Sequence, residues 1–153
     1  MIVVSDTTAI TALLQIGRVE LLATLYGEVL IPEAVRNELL QAHHNTPEFL
    51  RVEKVLDIAE VQRLRSELDV GEAEAIVLSK EKAADLLLID EAEGRRVALR
   101  EGLSIIGLLG VLVHAKRTGL IISVRTLAAE LEQTAGFRVS DEVKEIVFRN
   151  AGE

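Results

Sequence analysis

Two apolar runs in this chain break off at an aspartate. Ile2-Val3-Val4-Ser5 stops at Asp6, with Thr7 and Thr8 following. Leu86-Leu87-Leu88-Ile89 stops at Asp90, with Glu91 following. Both runs are continuously apolar rather than alternating, the pattern of strands covered on both faces. Each leads into a helical pattern. In open α/β sheets the crevice beyond the carboxyl ends of the strands is the usual ligand site. Two such strands side by side would bring two carboxylates to that crevice. Like charges at short range oppose each other, and a cation between them relieves the repulsion.

Two further acids join these. In Val35-Arg36-Asn37-Glu38-Leu39, a rotation of ~100° per residue turns Glu38 between Ala34 and Val35, beside Leu39. Glu38 therefore points with the apolar face, where a carboxylate needs a partner. In Gly71-Glu72-Ala73-Glu74-Ala75-Ile76, Glu72 shares a face with Ala75, Ile76 and Ser79, whereas Glu74 is expected in solvent. Each acid also has a plainer role. Asp6 and Asp90 suit helix N-caps, Glu38 a rim ion pair, and Glu72 a favourable charge in a first helical turn. Asp69 reads as a helix-end or N-cap residue, and Glu91 as a first-turn acid. Arg95, one turn beyond Asp90, could contact a phosphate or form a surface ion pair. Thr7 could touch a ligand or cap its helix.

The elements that must hold these residues alternate between strand and helix. Strands are predicted at 28–31, 85–89 and 103–106, with an edge strand at 49–55. Helices are predicted at 9–16, 19–26, 33–41, 57–68, 71–82, 91–101 and 107–118. Two amphipathic helices at 123–135 and 140–150 complete the chain. Pro32 opens the third helix, and Gly102 and Gly119 close later ones. This alternation implies a parallel sheet with helices on both sides. No linker, repeat or low-complexity segment interrupts the 153 residues, so one domain over 1–153 is expected.

Hydrophobic residues make up 49% and charged residues 27%, as in an ordinary globular protein. There is no cysteine, which excludes disulfides and thiolate metal sites. The N-terminus lacks the basic flank and long apolar core of a signal peptide, and the uncharged stretch 102–115, which contains glycines and His114, is too short to span a bilayer and reads as a buried strand followed by a core helix. A cytoplasmic protein is the expectation. A net charge of −8 and an aromatic content of 3% argue against a broad basic or base-stacking nucleic-acid surface. Contact with nucleic acid would be confined to a local site.

Taken in order, the Asp-Thr-Thr strand end, Val-x-x-Glu-Leu behind Ile31-Pro32, Gly-Glu-Ala-Glu-Ala-Ile, and Leu-Leu-Ile-Asp-Glu with Gly94-Arg95 resemble the PIN-domain proteins. The match is closest to a prokaryotic branch of predicted nucleic-acid-binding members related to the VapC-type toxins. It covers nearly the whole chain. The resemblance implies a three-layer α/β/α sandwich with a central parallel sheet and an acidic pocket for Mg²⁺ or Mn²⁺. It implies metal-dependent cleavage of single-stranded RNA, in some relatives as the toxin partnered by a protein antitoxin, with self-association compatible. Asp6, Glu38 and Asp90 match the family's pocket acids, and Glu72 matches a position often held by aspartate. Thr7 and Arg95 are the substrate-side candidates. The chain departs from the pattern at Ile106-Gly107-Leu108, where related sequences carry Thr-Gly-Thr. That departure leaves open a second reading, a weakly active or inactive module that works through a partner. A phosphate-receiving regulatory domain fits less well, because only Asp6 follows the first strand and Lys116 lies deep in a helix. A dinucleotide-binding fold lacks its Gly-x-Gly-x-x-Gly.

Overall fold

The computed structural model describes residues 1–153. Five parallel strands form one sheet in the order β3-β2-β1-β4-β5. They are β1 (Val3–Ser5), β2 (Val29–Pro32), β3 (Leu50–Glu53), β4 (Leu86–Leu88) and β5 (Ile105–Ile106). The helices between and after them are α1 (Thr7–Gln15), α2 (Glu20–Tyr26), α3 (Glu33–Ala42), α4 (Ile58–Leu64), α5 (Val70–Glu81), α6 (Ala92–Arg100), α7 (Leu108–Arg117), α8 (Val124–Ala135) and α9 (Asp141–Asn150).

The central strands β1, β2 and β4, apolar except at Ser5, serve two cores at once. Val3, Val29, Ile31 and Leu88 pack into a cluster of 25 buried residues with α1, α2, α3, α7 and α8. Val4, Leu87 and Ile89 face the opposite way, into a cluster of 14 with α4, α5 and α6. Successive side chains on a strand point to opposite faces, so a strand buried on both sides has little room for polar residues, and the one in β1, Ser5, donates its hydroxyl to the Asp6 carbonyl. The result is the expected three-layer α/β/α sandwich.

The strand order reverses at β1. The chain builds β1, β2 and β3 outward in one direction, then returns to place β4 on the other flank of β1. Val3, Val4 and Ser5 pair with Leu86, Leu87 and Leu88. The two acid-terminated runs are therefore adjacent, with Asp6 opposite Ile89 and Asp90 one residue further along.

Some boundaries differ from expectation. The helix expected over 57–68 ends at Leu64, yet Leu68 stays buried and its N–H reaches the Leu64 carbonyl. The apolar spacing continued past the helix end because the turn that follows still faces the core. The last strand covers only Ile105–Ile106, because the Leu103 N–H closes α6 on the Ala98 carbonyl after the left-handed turn at Gly102. The helix behind Pro32 begins at Glu33. Pro32 itself is the last residue of β2, paired with Glu53, and sits at the N-cap position.

Candidate active site

Asp6 occupies the N-cap position of α1, but its side chain caps nothing. It is 2% exposed, and its Oδ1 is buried without a hydrogen-bond partner. The backbone fixes it there, since the Asp6 N–H donates to the Leu88 carbonyl at 3.1 Å and extends the β1–β4 ladder by one residue. The strand thus fixes the Asp6 backbone, and the packing around its side chain keeps the carboxylate from water.

Asp90 stands at the neighbouring strand end. Its Oδ1 accepts the Leu108 N–H at 2.9 Å, so it caps α7 rather than the helix that follows it in sequence. Its Oδ2 is buried and unpartnered. Arg95 bends back to donate Nη1 to the Ile89 carbonyl at 2.9 Å, which places the guanidinium beside Asp90. It forms no surface ion pair.

Glu38 comes from α3. Thr7 Oγ1 donates to Glu38 Oε2 at 2.5 Å, so this threonine's proton is committed to orienting an acid. Glu72 comes from the first turn of α5. It is 8% exposed, and its Oε2 is a third buried carboxylate oxygen with no partner. Asp69 is the N-cap of α5 and accepts the Glu72 N–H at 2.9 Å.

Glycines make room for these acids. A Cβ on Gly71 would lie 2.5 Å from Glu38 Oε1, and one on Gly94 would lie 2.5 Å from Glu72 Oε2. A Cβ on Gly107 would meet Asp90 Oδ1 at 2.9 Å. The hydrogen atom on each glycine is what leaves a seat for a carboxylate.

Asp6, Thr7, Thr8, Glu38, Asp69, Glu72 and Glu91 line a polar pocket of about 20 Å³, room for one water or one small ion. Asp90 lies beside it, on a larger cleft that shares Thr8 and Glu91 with the pocket. The structure thus brings Asp6, Glu38 and Glu72 to one pocket, with Asp90 and Arg95 at its side. No three acids close tightly enough to form a finished ion site by themselves.

The electrostatics follow from this crowding. Burial drives the Asp6 carboxyl well above its ordinary range, and Asp90, Glu72, Glu91 and Asp69 push it further. Burial and the charges of Asp69 and Glu91 raise Glu72 to about 7. Burial also raises Asp90, partly offset by the Leu108 N–H and by Arg95. The donor set is all oxygen, with three buried oxygens lacking any hydrogen. That chemistry fits a hard divalent cation such as Mg²⁺ or Mn²⁺.

A family model described as a PIN domain matches residues 2–153. The chain belongs to the PIN-domain family. This is a nuclease fold whose members generally use divalent metals. No curated protein matches the chain closely enough to be called a relative.

Sequence reasoning gave some of these PIN-domain residues too plain a role. Asp69 does cap α5, but it also lines the pocket, as does Glu91 from the N-cap position of α6. Their positions just before helices made them resemble ordinary helix-start acids. Thr8 was passed over beside Thr7. Glu74 was expected in solvent; instead its Oε1 accepts the Ala34 N–H at the start of α3 at 3.1 Å and ties the two acid-bearing helices together. A helical wheel shows which face a residue shares but not which neighbouring helix ends against it.

Proposed function

We propose that this PIN domain is a metal-dependent ribonuclease that hydrolyses phosphodiester bonds of single-stranded RNA. The observation that carries the reading is the trio of buried, unpartnered carboxylate oxygens on Asp6, Glu72 and Asp90 at the point where the strand order reverses. Buried polar atoms without partners are rare in folded proteins and ask for a ligand.

Asp6 and Asp90 are the residues that would bind Mg²⁺ or Mn²⁺ directly, with Glu38 and Glu72 completing the shell or acting through water. When bound, such an ion lowers the pKa of a coordinated water and neutralises charge on the phosphate. The chain's own groups hold the geometry. Leu108 N–H fixes Asp90, Thr7 orients Glu38, and the β1–β4 ladder fixes Asp6. Arg95, anchored on the Ile89 carbonyl, offers its remaining N–H groups to a phosphate oxygen.

A toxin role with a protein antitoxin as partner extends this reading, as does a cytoplasmic setting. No helix is long and apolar enough to cross a membrane. A second reading is a binding module that retains the fold without efficient cleavage. It is favoured by Ile106 and Leu108, which put aliphatic side chains where related sequences carry hydroxyls.

Two measurements separate these readings. Purified wild type should cut unstructured RNA in Mn²⁺, and Asp6→Asn should not. Mn²⁺ should raise the melting temperature of wild type with increasing concentration and leave the variant unmoved. Equal cutting by both proteins would trace the activity to a contaminant and remove Asp6 from the site. A melting temperature that does not respond to Mn²⁺ would favour the binding module.

A further inference from the structure

Beside the acidic pocket lies a cleft of about 670 Å³ that holds Asp90 and Arg95 at one end and extends well beyond them. It lies within the ~300–1,000 Å³ span of small-molecule sites and is large enough for a nucleotide. Thr8 and Glu91 belong to both spaces, so the cleft opens directly from the acids. One wall is the end of β5 and the start of α7, with Ile106, Gly107 and Leu109. The other is the segment after α8. There Gly136 takes the left-handed conformation (φ 65°), which ends the helix and sends Phe137 and Val139 to the cleft, where Val143 of α9 joins them.

The lining is half apolar and includes Phe137, one of only three phenylalanines in the chain. It also holds two arginines, Arg95 and Arg138, neither of which forms an ion pair within the chain. Eight other basic residues are already paired to acids. A cleft with aliphatic and aromatic walls, two guanidinium groups outside any ion pair, and a direct opening onto the acids suits a nucleotide: the base meets the apolar walls, and its phosphates meet the arginines. Ile106 adds aliphatic surface to the same cleft.

Resting on the nuclease reading, we infer that this cleft is a base-binding subsite that seats the nucleotide next to the scissile phosphate of single-stranded RNA. Binding then depends on a base and not only on backbone charge.

The experiment compares a short single-stranded RNA with an abasic strand of the same length and charge. Both are titrated in Ca²⁺ into the full-length chain carrying labelled valine methyl groups, and both are offered for cleavage in Mn²⁺. The RNA should shift Val139 and Val143, and the abasic strand should bind about tenfold more weakly without those shifts. Phe137→Ala should remove most of that tenfold preference. Arg138→Ala, at an exposed position that does not endanger folding, should weaken both strands alike. Equal binding of the two strands, or methyl groups in the cleft that do not respond, overturns the inference. A dimer whose contact covers Val143 and excludes RNA also overturns it and assigns the cleft to a second copy. Cutting of both strands at equal rates sinks the subsite and leaves the nuclease reading standing. Base-dependent binding in the cleft without any cutting does the reverse.

Discussion

Gly71→Ala separates the position of a carboxylate from the stability of the fold. The added Cβ would stand 2.5 Å from Glu38 Oε1, whereas ordinary contact begins near 3.4 Å, so the oxygen must retreat by about 0.9 Å. Its Cδ and Oε2 are also crowded, at 3.1 and 3.2 Å. The obstructing atoms are the far end of a flexible side chain, so Glu38 can yield while the helices stay in place. The Thr7 hydrogen bond to Oε2 is then lost, at a cost of about 1 kcal/mol. Alanine in place of glycine in a helix returns up to about 1 kcal/mol. Stability should therefore change by no more than ~1 kcal/mol in either direction. A displacement near 1 Å in a catalytic group can cost on the order of 100-fold in rate. The assay is RNA cleavage in Mn²⁺ beside thermal melting of the same preparation. A fully active variant with an unchanged metal-induced melting shift would show that Glu38 does not contribute at the position described.

Three other outcomes follow from the same geometry. Without metal, burial and neighbouring acids raise the Glu72 carboxyl from its ordinary 4.5 to about 7 in the folded state, so between those values the folded state binds more protons than the unfolded one. Its contribution is favourable below about pH 4 and is lost as the pH rises to about 7; the raised Asp6 and Asp90 act in the same direction. Melting temperatures in chelator should fall across that range, and Mg²⁺ or Mn²⁺ should restore most of the loss at neutral pH; a flat chelator profile would contradict the crowding. Glu74→Ala should cost about 1 kcal/mol in chemical denaturation, because it deprives the Ala34 N–H of its acceptor, and a neutral result would mean that water replaces it. Glu153→Ala should lower the melting temperature by a few degrees, since this carboxylate accepts the Val124 and Arg125 N–H groups and binds Ser123 and Lys116 at the start of α8.

Asp6 and Asp90 were legible in the sequence because each follows an almost wholly apolar run, so an acid at its end is conspicuous. Glu38 and Glu72 were legible from helical phase, which aimed both at apolar faces. Asp69 and Glu91 were not, because capping and lining a pocket place the same residue type at the same spot in sequence. Glu74 was hidden for a different reason: its partner is a backbone N–H 40 residues away, and only the packing of α3 against α5 brings the two together. The same holds for Asp90, whose cap serves α7 instead of α6. The seats at Gly71 and Gly94 could be noticed as glycines in helices, but what filled them depended on which helices met.

The placement of β4 beside β1 also bears on how such a protein is made. Asp6 emerges among the first residues, yet the carbonyl that holds its backbone belongs to Leu88, and the N–H that fixes Asp90 belongs to Leu108. A chain still under synthesis carries some of the acids without the frame that gathers them. The crevice therefore cannot assemble until the chain has been made through Leu108, so its acids come together only late in synthesis.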